Sequence, residues 1–185
     1  ILRNHVNDLA KPTKSYRRLS RRSYATKIPF KGKVSGNPTI GEITVTIDTS
    51  GSTMADQPMF LAEVDSLARI YNIPIRVLMW DAEVGDDITV SKSGWSRTHT
   101  RERINKNESF EVAGGGGTKI SSVNEYLVAN NMKPKLLIYF TDGYVEASPK
   151  FFRHAGTKHV FFITPDGQGN QFSSIGDVVK VVEKF

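Results

Sequence analysis

Residues 43–52 read Ile43-Thr44-Val45-Thr46-Ile47-Asp48-Thr49-Ser50-Gly51-Ser52, and the whole chain is understood outward from them. Five consecutive β-branched residues, with Ile43, Val45 and Ile47 alternating with Thr44 and Thr46, predict a strand. The run then breaks into Asp, Ser and Gly, the residue types of a turn. A buried strand that delivers a polar loop is the expected unit.

Downstream, Asp56 and Pro58 are good helix-starting residues, and Phe60, Val64, Leu67 and Tyr71 repeat at spacings of three and four, one face of a helix ended by Asn72. Ile75, Val77, Leu78, Met79 and Trp80 form a near-continuous apolar strand of the kind buried on both faces, which completes a βαβ unit. Residues 81–108 are polar and irregular in period, with Ile88 and Val90 hinting at a short strand. Phe110 and Val112 suggest another, and Gly114 to Gly117 with Thr118 open a helix carrying Ile120, Val123 and Leu127. Leu136 to Phe140 is the most apolar strand and runs straight into Thr141-Asp142-Gly143. Val160 to Ile163 reads as a strand, and Val178 to Val182 as an edge strand or a terminal helix. Strands alternating with helices predict an α/β fold: a doubly wound, mostly parallel, Rossmann-like sheet with helices on both faces.

The chain has 185 residues, of which 38% are apolar and 24% charged, with no cysteine and a formal charge of +6. That length predicts one core with an extension. No stretch reaches the roughly 20 apolar residues needed to span a bilayer, so no membrane association is expected. The absence of cysteine removes disulfides, thiolate nucleophiles and Cys-type zinc sites, and is compatible with a cytoplasmic setting. Residues 1–40 hold ten Lys or Arg against one acid, Asp8, whereas residues 41–185 hold fifteen basic and eighteen acidic side chains. Two regions follow: a basic N-terminal arm, 1–40, read as extended with room for one short helix, and a domain, 41–185. Ile1 is not an initiator methionine, and residues 1–8 show no signal-peptide core, so the chain reads as a piece of a larger protein.

In a doubly wound sheet, ligands sit beyond the carboxyl ends of the strands. Three loops qualify: that of Asp48, Ser50 and Ser52, the glycine run ending at Thr118, and that of Asp142. They supply two carboxylates and three hydroxyls, hard oxygen donors suited to Mg2+, Mn2+ or Ca2+. In an extended turn alternate side chains project together, so Ser50 and Ser52 can reach one ion. Asp81, Gly117 and Gly143 form a second tier; Asp81 serves equally as a turn cap. His5, His99, His154 and His159 lack metal-type spacing and are read as surface residues, Trp80 and Trp95 as packing residues. Asp86 and Asp87 make an acidic pair read as a solvated loop ahead of a second cation site.

Asp48-Thr49-Ser50-Gly51-Ser52, Thr118 and Thr141-Asp142-Gly143 together resemble the metal-ion-dependent adhesion site (MIDAS) of von Willebrand factor A (VWA) domains. The resemblance covers roughly residues 41–165. It implies that Ser50, Ser52 and Thr118 touch a metal directly, that Asp48 and Asp142 act through bound water and through hydrogen bonds to the serines, and that a sixth position is left for an acidic group of a partner. With Trp80-Asp81-Ala82, the Gly-Gly-Gly-Gly-Thr run and Thr141 to Tyr144, the chain more narrowly resembles the VWA-like C-terminal domain attached to bacterial or viral metallopeptidases. No His-Glu-x-x-His motif occurs, so peptidase activity is not expected of this chain and would lie in a segment it lacks.

The leading expectation is a divalent-metal-dependent protein-interaction module that takes an Asp or Glu from a protein partner. Metal-assisted phosphoryl transfer is a competing reading, opposed by Ser50 standing where the comparable phosphatases carry a second aspartate. Nucleic-acid binding through arm residues 11–33, where Tyr16 and Tyr24 lie among arginines, is a third. The glycine run lacks the Gly-Lys-Ser/Thr order of a phosphate-binding P-loop.

Overall fold

The computed structural model describes residues 14–33, 42–98, 103–104 and 118–181, and the chain divides into two units, Ile1–Gly41 and Glu42–Phe185. The first is more regular than expected. Strand β1 (Lys14–Leu19) and strand β2 (Lys31–Lys33) pair antiparallel around helix α1 (Arg21–Thr26). The buried Ser23 accepts a hydrogen bond from Phe30 N–H at 2.8 Å and donates to Phe30 O at 3.2 Å, while Ser20 N–H donates to the same carbonyl at 3.0 Å. Among its described residues, backbone pairing and the Ser23 hydroxyl join the strands and helix, contacts that leave no apolar periodicity by which strands are recognised in sequence.

The second unit is built on an eight-stranded sheet in the order β10-β9-β8-β3-β4-β5-β6-β7. Its strands are β3 (Ile43–Asp48), β4 (Ile75–Trp80), β5 (Val84–Ser91), β6 (Gly94–Arg97), β7 (Arg103–Ile104), β8 (Leu136–Thr141), β9 (Lys158–Ile163) and β10 (Asp177–Lys180). From β10 to β4 all four junctions are parallel. From β4 to β7 the three junctions are antiparallel. Helix α2 (Gln57–Tyr71) connects β3 to β4, and helix α3 (Ser121–Ala129) precedes β8. All six residues of β3 are buried, because parallel neighbours flank it and helices cover both faces.

Tyr139 and Phe140 are adjacent in β8, so their side chains enter opposite layers. Phe140 stacks on Phe60 of α2 at 4.6 Å and on Phe162 at 5.2 Å. Tyr139 stacks on Phe161 at 4.5 Å, in a cluster with Leu78, Trp80, Ile120, Val123 and Leu127 of the α3 side. Each fully buried side chain of this size contributes about 1.5–3 kcal/mol. The helical spacing of Phe60, Val64 and Leu67 thus finds its purpose in burial.

Two features depart from the sequence reading. Residues 84–97 form two full strands where only a short one was expected. Their polar residues are absorbed by partners: Asp87 is buried against Arg76, and Trp95 Nε1 donates to Asp65 of α2 at 3.1 Å. Asp87 is therefore neither a solvated loop residue nor a free cation ligand. His159 is buried in β9 beside Tyr139, rather than at the surface, while His154 is exposed. Residues 177–180 resolve the two alternatives for the C-terminal segment as an edge strand. Phe110, Val112, Gly114 to Gly117, His5 and His99 lie outside the described residues. No described helix is long and apolar enough to cross a membrane.

Candidate functional site

From β3 the chain crosses to β4 on one side, and β8 later joins on the other. The crossovers diverge between β3 and β8, the switch point at which a doubly wound sheet is expected to open a crevice beyond the carboxyl ends of its strands. Asp48 is the last residue of β3, and Asp142 immediately follows β8.

Asp48 is fully buried, and both of its carboxylate oxygens are engaged. Oδ1 accepts from Ser50 N–H at 3.0 Å and Oδ2 from Thr141 Oγ1 at 2.7 Å. Burial raises its proton affinity above the usual carboxylate range; the hydrogen bonds from Ser50 and Thr141 counter that rise in part, and the charge of Asp142 adds to it. Thr49 donates to Trp80 O through both N–H (2.8 Å) and Oγ1 (2.9 Å), which pins the loop to β4. Thr53 Oγ1 closes the turn on Asp48 O at 2.8 Å and Ser50 O at 3.0 Å. Ser50 is extended, with φ −58° and ψ 158°, and the chain then turns through a 3-10 helix, Gly51–Thr53, that leaves the Ser50 and Ser52 hydroxyls 3.1 Å apart. The hydroxyls are thus paired by a helical turn, not by the extended alternation expected from the sequence.

Asp142 is buried. Its Oδ1 accepts from Tyr144 N–H at 3.0 Å, whereas Oδ2, also buried, has no hydrogen-bond partner among the described residues. Such a carboxylate oxygen is costly unless a positive group or a donor faces it. The next residue, Gly143, has φ +83°, and a Cβ there would stand 1.7 Å from Gln168 O. Only glycine allows the loop after β9 to approach this closely, which Gln168 N–H does by donating to Asp142 O at 2.8 Å.

Thr118 is tied to both neighbouring loops. Lys119 N–H donates to Asp81 O at 2.9 Å, and Thr118 O accepts from Glu146 N–H at 3.2 Å. Asp81, at the end of β4, thus supports the 118–119 segment through its carbonyl. The carboxylate of Glu146 accepts from Ile120 N–H at 2.8 Å and Ser121 N–H at 2.9 Å, and also from Ser121 Oγ. An internal anion thereby occupies the start of α3, where a phosphate would sit if the glycine run were a nucleotide cradle. Gly117 lies outside the described residues.

Thr49, Thr53, Thr141 and Glu146 were missed by sequence reasoning. Thr141 carried a signal, since it opens the Thr-Asp-Gly segment; Glu146 carried none. Among the described residues no group of three or more His, Asp or Glu side chains is placed so that it could hold a metal ion by itself. The donors assembled at the crevice are thus two carboxylates and serine hydroxyls, with Thr118 held in the adjoining loop. A family model described as VWA-like domain (DUF2201) matches residues 43–181. No curated protein and no solved structure matches the chain.

Proposed function

The chain belongs to the VWA-like domain family, and on that premise we propose that it is a protein-interaction module gripping an acidic group of a partner through a divalent cation. The observation that carries this reading is the buried Asp142 Oδ2, which has no hydrogen-bond partner among the described residues and lies close enough to Asp48 for the two charges to interact. Two like charges in a desolvated crevice call for a compensating positive charge. The paired hydroxyls of Ser50 and Ser52 at its mouth are neutral oxygen donors of the type that accompanies Mg2+ or Mn2+.

In this reading Ser50, Ser52 and Thr118 ligate the ion, and Asp48 and Asp142 orient those ligands and any bound water. The cation supplies an electrophile that neutral hydroxyls leave largely unneutralised, and which a carboxylate from outside completes. Asp48 is ill-suited to attack a phosphate, because Ser50 N–H and Thr141 Oγ1 already engage both its oxygens. The narrower likeness through Trp80-Asp81-Ala82 and Thr141 to Tyr144 supports a module that accompanies a metallopeptidase segment.

The test is a Mn2+ titration followed by electron paramagnetic resonance, with Ser50→Ala and Asp48→Ala beside the parent. One saturable ion in the parent and loss of binding in both variants is expected. Capture of Glu- or Asp-bearing peptides should then vanish with chelator. Capture that ignores both chelator and substitution overturns the proposal.

A further inference from the structure

Thr118 and Asp142 belong to separate loops, and a divided site works only if those loops keep their spacing. Glu146 joins them. It lies four residues beyond Asp142, its N–H donates to Thr118 O at 3.2 Å, and its carboxylate accepts from the amides of Ile120 and Ser121, at the start of α3, at 2.8 and 2.9 Å together with Ser121 Oγ. Ser121 Oγ in turn accepts from Lys150 N–H at 2.7 Å, which draws a later part of the same loop to the helix start. From these contacts we infer that Glu146 is a positioning residue: it locks the start of α3 to the loop after β8 and thereby holds Thr118 in register with Asp142.

The chemistry favours a carboxylate here over any neutral side chain. Its two oxygens meet two backbone N–H groups and a hydroxyl, all donors, at the positive end of a helix. An amide offers one acceptor oxygen and turns an NH2 toward a donor. Glu146→Gln therefore keeps the shape of the side chain while breaking one arm of the latch, and Glu146→Ala breaks both. The opposite side of Thr118 is held independently by Lys119 N–H on Asp81 O at 2.9 Å. Loss of Glu146 consequently loosens the segment without releasing it.

The inference rests on the metal-site reading for its functional consequence, though not for its structural one, and two measurements separate them. Hydrogen exchange of the intact chain reads the latch directly. In Glu146→Gln, exchange of the amides of residues 118–122 is expected to speed up about tenfold or more while β3 and β8 stay protected. Mn2+ titration reads the consequence: supports of metal ligands are typically worth 10- to 100-fold in affinity, and Glu146→Gln is expected to weaken binding about tenfold well below its melting temperature. A residue that merely stabilised the fold would lower the melting temperature and leave Mn2+ affinity unchanged, which would overturn the positioning role. Should the parent chain take up no Mn2+, the metal reading fails, and the exchange result alone decides whether Glu146 holds Thr118. Unchanged exchange in both variants refutes the latch itself.

Discussion

Substituting Asp87 by alanine offers the most direct measure of how the second unit is held together. The Asp87 carboxylate accepts from Arg76 Nε at 2.8 Å, Thr98 Oγ1 at 2.8 Å and Tyr126 Oη at 2.7 Å, and pairs with Arg76 Nη2. Its side chain is 3% exposed, that of Arg76 20%. Removing one member of a buried pair costs roughly 3–5 kcal/mol, because the remaining charge is stranded. Water reaches part of Arg76, so the low end applies, about 3 kcal/mol; at roughly 2–4 °C per kcal/mol for a chain of this size the melting temperature should fall by about 10 °C. Asp87→Asn, which keeps one acceptor oxygen, should lose about half as much. Burial alone would raise the carboxyl's proton affinity, but the hydrogen bonds from Arg76, Tyr126 and Thr98 outweigh it and hold the group below its ordinary range. A depressed carboxyl contributes stability in full above the unfolded value near about 3.9, and that contribution disappears as pH falls through the folded value. The gap between parent and variant should therefore persist from neutral pH to about pH 4 and close in stronger acid. Thermal unfolding by circular dichroism across that range is the assay. A loss below about 1 kcal/mol at pH 7, or a gap that widens in acid, would refute the account of a buried ion pair.

Gly143→Ala should destabilise the loop after β8 by at least about 2 kcal/mol, since it combines a left-handed backbone with a collision against Gln168 O; chemical denaturation showing no change would remove the close-approach argument. Asp142→Asn should have effects of opposite sign, raising the metal-free melting temperature while weakening Mn2+ binding, because it deletes a charge one of whose buried oxygens has no partner among the described residues; a variant less stable than the parent in chelator contradicts this. His159 should titrate below its ordinary value by NMR, because burial and then the charge of Arg153 disfavour its cation. Stability dependent on its neutral form is full above about pH 6.5 and is lost as pH falls through the folded value. Titration at or above the ordinary value would show the ring to be hydrated.

Much of the fold could be read from particular residues. Ile43, Val45 and Ile47 announced a buried strand, and Phe60, Val64 and Leu67 a helix packed against the sheet, because repeated burial leaves a repeated apolar spacing. Ser50 and Ser52 could be singled out together by their spacing in the motif, but it is a 3-10 turn over Gly51–Thr53, not extended backbone, that brings their hydroxyls together. Residues 84–97 were misread because their burial is polar. Asp87 resembles a loop residue until Arg76, eleven positions away, is known to face it.

What the sequence by itself determined is therefore local and periodic: strand, helix and the ends of strands where acids and hydroxyls collect. Tertiary structure alone decided which of those ends meet. Placing β8 beside β3 joined Thr141 to Asp48 across 93 positions, and the chain's return through Glu146 tied Thr118 to the loop of Asp142. Such contacts depend on directional hydrogen bonds between distant segments, and directional bonds impose no repeat on the amino-acid order, as burial does.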